Sequence, residues 1–135
     1  MQLHPSSVIR LASEFFIETK KRVEVIDITD EVVKGMGKGE ACLVYVPHAT
    51  AALIVNEFEP NIKSDYEKFF SKIAKGEWKH NKIDNNAEAH LLSALISPSV
   101  TVPIKEDKLE LGTWQRIMLV ELDGPRKRKI TVRTL

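Results

Sequence analysis

The chain has one cysteine in 135 residues, Cys42, so it can hold no internal disulfide framework and no multi-cysteine zinc site. That cysteine lies inside an apolar run, where a small buried hydrophobe is expected. Long hydrophobic runs are missing too. None approaches the roughly 18 residues a membrane span requires. Charge of one sign is also missing: 20 Lys and Arg against 19 Asp and Glu give a formal net charge of +1. No global field therefore favours nucleic acid or anionic membranes. The first residues, Met1-Gln2-Leu3-His4-Pro5, lack the basic and apolar regions of a signal peptide, so a cytoplasmic protein is expected. There is no internal repeat, low-complexity tract or dividing linker. With 43% hydrophobic residues, one domain over 1–135 is expected.

What is present is a succession of short strand signals with two clear helices. Residues 11–18 and 23–28 read as strands, and the charged step Lys20-Lys21-Arg22 between them suits a hairpin turn. Thr29 and Asp30 are candidate caps for a short helix over 31–36, ended by the glycines at 35, 37 and 39. Residues 42–46 and 52–55 read as buried strands. Pro60 opens a helix whose apolar residues Ile62, Tyr66, Phe69, Phe70 and Ile73 recur at helical spacing through Lys75. Asn86 is a candidate N-cap for a second helix, which Pro98 stops. Residues 99–104, 115–122 and 129–135 read as strands, with a charged turn at 105–108 and a turn at Asp123-Gly124-Pro125. Strands with two segregated helices predict an α+β fold around a largely antiparallel sheet.

The chemistry concentrates on histidines. The strand over 42–46 stops at Pro47, which cannot donate to a sheet ladder, and His48 follows at once. The next strand ends at Asn56-Glu57. His80 lies in the polar loop Trp78-Lys79-His80-Asn81, and His90 in the first turn of the second helix, where the macrodipole favours a neutral imidazole. The fourth histidine, His4, sits beside Pro5. A lone histidine is more often an ordinary hydrogen-bonded residue than a ligand. Three on separate elements, His48, His80 and His90, could form a three-histidine metal site with an open position. Glu57 and Glu88 are candidates for orienting an imidazole or moving a proton. Gly112-Thr113-Trp114-Gln115 opens a strand, where the glycine lets backbone approach a ligand and Thr113 and Gln115 offer neutral hydrogen bonds. It lacks the spacing and lysine of a phosphate loop. In the run Arg126-Lys127-Arg128-Lys129, Arg126 abuts the turn and is the candidate phosphate grip.

Pro47-His48-Ala49-Thr50-Ala51, Asn56-Glu57, Asn86-Ala87-Glu88-Ala89-His90, Ser99-Val100-Thr101-Val102-Pro103, Leu111-Gly112-Thr113-Trp114-Gln115 and Glu121-Leu122-Asp123-Gly124-Pro125-Arg126 occur in this order. Together they resemble the YjbQ family, small proteins often labelled secondary thiamine-phosphate synthase. The resemblance covers nearly the whole chain. It implies an α+β domain assembled as a homotrimer, with a metal-compatible histidine cluster on His48, His80 and His90. The family's acidic residue falls on Glu57 and its turn on Gly112, Thr113 and Gln115. Two departures stand out: Ala49 where many relatives have threonine, and Glu88 where they have aspartate.

The expectation is therefore a weak thiamine-phosphate synthase-like transferase acting on a phosphorylated small molecule. His48, His80 and His90 would hold a divalent metal, zinc first. Glu57 and Arg126 would be catalytic, and Gly112, Thr113, Gln115 and Lys127 would bind substrate. A metal-dependent hydrolase of a phosphorylated small molecule and a non-enzymatic trimeric binding module are the alternatives. Neither a nucleic-acid nor a membrane partner is expected.

Overall fold

The computed structural model describes residues 12–135; His4 and the expected start of the first strand at Leu11 lie outside them. The fold is α+β and largely antiparallel, as expected. The strands are β1 (Ala12–Glu18), β2 (Glu24–Asp27), β3 (Ala41–Tyr45), β4 (Ala51–Glu57), β5 (Ser99–Lys105), β6 (Lys108–Leu109), β7 (Gln115–Glu121) and β8 (Lys127–Thr134). The helices are α1 (Thr29–Gly35), α2 (Pro60–Lys72) and α3 (Ala87–Ile96), with one 3-10 turn at Lys79–Lys82. None of the described helices is long and apolar enough to cross a membrane.

The strands form two sheets, one ordered β1-β8-β3-β5-β6 and the other β2-β7-β4. Alternation along β7 shows how the layers stack. Ile117 and Leu119 join a core between the sheets with Cys42, Val44, Leu53, Ile130 and Val132. Met118 and Val120 point the other way and meet Ala89 and Leu92 of α3, with Tyr66 and Phe70 of α2 packed around them. The protein is thus three layers: a five-stranded sheet, a three-stranded sheet and a helical layer. Cys42 is buried in the first core, and that burial pushes its thiol up to about 11, so it serves as packing.

Three expectations need correction. Lys20-Lys21-Arg22 is not a hairpin turn: β1 pairs with β8 and β2 with β7, so the chain crosses there from one sheet to the other. Thr29 does not cap α1, whose N-cap is Ile28 without a side-chain bond. Its hydroxyl instead donates to Asp27 Oδ1 at 2.7 Å and accepts the Ile117 N–H at 2.8 Å, tying the helix start to β7. In α2, Tyr66 and Phe70 face the core as the spacing predicts, but Phe69 and Ile73 are exposed, and the helix ends at Lys72 rather than Lys75.

Two of the other connections that cross between the sheets are short turns without helix: 46–50, which carries His48, joins β3 to β4, and 122–126 joins β7 to β8. They meet the β1–β2 crossing at one end of the sandwich. Gly124 N–H donates to Arg22 O at 3.0 Å, Thr19 N–H to Arg126 O at 2.8 Å, and Leu122 N–H to Thr50 O at 3.2 Å. A Cβ on Gly124 would stand 2.3 Å from Lys21 O, so only glycine fits between the β1–β2 and β7–β8 connections.

Candidate functional site

The crossover end is organised around two carboxylates. Glu121 continues the β7 alternation onto the face carrying Ile117 and Leu119, so its side chain enters the end of the sandwich and is fully buried. Arg128, in phase with Ile130 and Val132 on β8, is buried beside it. Arg128 Nε donates to Glu121 Oε1 at 2.9 Å, and its Nη2 donates to Glu121 Oε2 and, at 2.8 Å, to Thr50 Oγ1. Glu121 also accepts from Thr19 Oγ1 and from the Leu122 and Asp123 N–H groups. This pair holds the turns of all three crossings. A buried ion pair of this kind is retained only where hydrogen bonds satisfy it on every side, as they do here.

Asp123, mostly buried, collects the second set. Arg126 donates to it from Nη2 at 2.7 Å and, through Nε, to its main-chain oxygen at 2.6 Å. Arg22 stands 3.8 Å from its other oxygen, and Asn86 Nδ2 donates at 3.0 Å. Asn86 does not cap α3 with its side chain. The helix start is served by Asn81, whose Oδ1 accepts the Ala87 N–H at 2.9 Å. The freed Asn86 amide reaches His80, with Oδ1 2.8 Å from Nε2. His80 in turn packs edge-on against His90, ring centroids 4.8 Å apart. The pair lines a cavity of about 360 Å³ with Trp78, Lys79, Ala87 and Leu91.

His48 reaches the same end from the other side. β8 runs four residues beyond its ladder with β3, leaving the Lys129 N–H without a strand partner, and His48 Nε2 accepts it at 2.9 Å. Burial, then the Arg128 charge, hold this imidazole below the usual histidine range, with Arg126 and Lys129 acting in the same sense and Glu121 opposing. His48 is therefore neutral at physiological pH.

Of the expected site residues, the structure brings together His80 and His90, and places Arg126 on the network that anchors His80. It does not gather all three histidines around one ion. Among the described residues, no group of three or more His, Cys, Asp or Glu side chains is arranged to hold a metal. A metal needs a lone pair from each imidazole, and the one on His48 Nε2 is engaged by the Lys129 N–H. Glu57 and 112–115 do not join either. Glu57 pairs with Gln115 at the far end of β4 and β7. At about 3.3 Å per residue that end lies roughly 20 Å from Glu121. Glu57 is exposed, Gln115 Oε1 accepts the Gly112 N–H at 2.8 Å within its own turn, and Thr113 is exposed. Lys127 faces away from the buried pair, its Nζ 4.7 Å from the Phe16 ring centroid. Trp78 and Trp114 are both exposed, at 40% and 73%.

Sequence reasoning passed over Glu121, Arg128, Asp123 and the second role of Asn86. Glu121 carried a signal: it is a charge ending the apolar run 117–120 in the phase of the core, and Arg128 has the matching phase on β8.

The three-layer α+β fold, with its two stacked antiparallel sheets and helical layer, defines a recurrent class of small protein. The sequence model described as UPF0047 protein YjbQ-like matches residues 13–135, and the chain belongs to that family. A UPF0047 protein of Archaeoglobus fulgidus is 46% identical over 126 residues, covering 90% of this chain and 99% of its own length. YugU, a UPF0047 protein of Bacillus subtilis, is 37% identical over 128 residues, covering 88% of this chain and 95% of its own. Among solved structures, a hypothetical protein of Aeropyrum pernix superposes with a TM-score of 0.88 at 42% identity, covering 92% of this chain and 97% of that one. A YbjQ-like protein of unknown function from Sulfolobus solfataricus gives 0.83 at 41% identity, covering 90% and 93%.

Proposed function

We propose that the protein binds a phosphorylated small molecule at the crossover end and acts on it, with weak thiamine-phosphate synthase-like transfer as the reaction to test first. The observation that carries this reading is the charge arrangement there. Arg22, Arg126, Lys127, Arg128 and Lys129 stand on or beside the crossings, against the carboxylates of Asp123, Glu121 and Glu14 that they or their neighbours bond. The excess is cationic in a protein that is nearly neutral overall. Arg126 is the phosphate grip: Asp123 fixes its Nε and Nη2, and the half-exposed guanidinium has further N–H groups for an anion. His80 and His90 lie beside a cavity of small-molecule size.

A divalent ion, zinc first, remains part of the proposal only as a product of assembly. His80 and His90 supply two imidazoles, and the described residues of one chain set no third beside them. The homotrimer is proposed on the outer face of the five-stranded sheet. There Phe16 and Tyr45 are 51% and 42% exposed, and Leu43, Tyr45, Thr131 and Arg133 line a groove of about 400 Å³. Glu57 and the turn carrying Gly112, Thr113 and Gln115 would take part only if assembly sets the far end of one copy against the crossover end of another.

The test is product analysis. Protein supplied with a pyrimidine methyl diphosphate and a thiazole phosphate is expected to release diphosphate and form thiamine phosphate slowly, with Arg126→Ala reducing the rate at least tenfold. Release of inorganic phosphate from either compound alone would replace transfer with hydrolysis. No turnover and no binding of either compound would remove the enzymatic reading.

A further inference from the structure

The hydrogen bonds fix the tautomers of two of the three described histidines, and they fix them oppositely. Lys129 N–H can only donate, so the His48 Nε2 it meets carries a lone pair, and the proton of the neutral ring sits on Nδ1. At His80 the logic runs the other way. Asn86 Nδ2 donates to Asp123, which turns Asn86 Oδ1, an acceptor, toward His80 Nε2. That nitrogen must donate, and Nδ1 of neutral His80 keeps the lone pair. No described residue bonds Nδ1 of either ring.

From this we infer that His48 is a hydrogen-bond donor to an anionic oxygen of the ligand, through Nδ1–H, and not a metal ligand. His48 Nε2 cannot bind an ion without abandoning the Lys129 N–H at the open end of the β3–β8 ladder. The Nδ1–H, which no described residue bonds, instead offers a proton on a ring that feels the Arg126 charge, and the occupant with the right chemistry is a phosphoryl group. His80, with its Nδ1 lone pair, is left as the imidazole able to accept a proton or meet an ion. The inference rests on the phosphorylated-ligand reading and assigns His48 its part in it.

Three proteins separate this from a merely structural role. In His48→Gln the side-chain amide reaches the position of Nε2, keeps an acceptor for Lys129 N–H and loses the donor at Nδ1. In His48→Asn the amide nitrogen takes the place of Nδ1 and keeps the donor. Inorganic phosphate binding, followed by calorimetry, is expected to weaken about tenfold or more in His48→Gln, the loss of one hydrogen bond to a charged group. It should stay within threefold of wild type in His48→Asn. Long-range proton–nitrogen spectra of the wild type should show His48 protonated at Nδ1 before and after zinc chloride is added. Equal phosphate binding by wild type and His48→Gln would overturn the inference and leave the phosphorylated-ligand reading standing. So would zinc moving the His48 Nε2 resonance. A wild type that binds no phosphate, with His48 still protonated at Nδ1, would overturn the phosphorylated-ligand reading, and the ligand role of His48 would fall with it.

Discussion

The two ends of the three-stranded sheet carry similar residue types and behave differently. At the crossover end Glu121, Asp123, Arg126 and Arg128 bond one another and three separate connections. At the far end Glu57, Thr113 and Gln115 are exposed, and what they bond lies in their own turn or the adjoining helix: Gly112 N–H on Gln115, and Tyr66 OH on the Glu57 main-chain oxygen at 2.8 Å. A carboxylate or amide does orienting work only when several elements over-determine its position. Where it answers to one turn, water competes for every bond. The difference supports the proposed site at the crossings even though the far-end turn is as prominent in the sequence.

The comparison can be broken most severely at the buried pair. Arg128→Met leaves Glu121 charged, buried and unpaired, and should cost about 3–5 kcal/mol in urea unfolding. Glu57→Gln at the exposed far end should stay within about 0.5 kcal/mol. Equal losses would mean that the two ends are equivalent. The glycines give the next contrast. Gly124→Ala drives a Cβ toward Lys21 O and should cost about 1–3 kcal/mol. Gly112→Ala meets only the end of the Gln115 side chain at 3.2 Å and should cost far less. Asn86→Ala removes the bond to Asp123 and the one to His80, and should cost about 1–2 kcal/mol. It should also let His80 exchange tautomers, visible in its ring nitrogen resonances.

The smallest effect is a pH dependence. Burial alone would raise Asp27 and Glu67, but both lie below the ordinary carboxylate range. Hydrogen bonds from Thr29 and Arg116 outweigh burial at Asp27, and those from Lys21, Lys63 and the Val25 N–H outweigh it at Glu67. A folded carboxylate pKa below the unfolded one adds stability above the unfolded value, and that stability disappears as pH falls through the folded value. Stability should therefore decline on acidification below the normal carboxylate range, and less steeply in Asp27→Asn. An unchanged slope in that variant would remove Asp27 from the account.

Strands were legible because alternation is local. The apolar phase of 42–46 and 115–122 is written in consecutive residues and survives in β3 and β7. Sheet membership was not, because Lys20-Lys21-Arg22 has the composition of a hairpin turn whether the chain folds back or crosses over. Asn86 read as a cap for a similar reason. Its position before α3 is right, but Asn81, five residues earlier, takes the cap bond and releases the amide to His80 and Asp123. Local context at a strand end, a polar loop and a helix start picked out His48, His80 and His90, yet it could not show that a main-chain N–H occupies His48 Nε2. That depends on where β3 leaves β8.

The most direct measurement is a titration with inorganic phosphate, followed through the backbone amide resonances of the wild-type protein. Saturable shifts centred on residues 48, 126 and 129, with 57 and 112–115 unmoved, are the predicted result. Shifts centred on 57 and 112–115, or none at any residue, would contradict a phosphorylated-ligand site at the crossings.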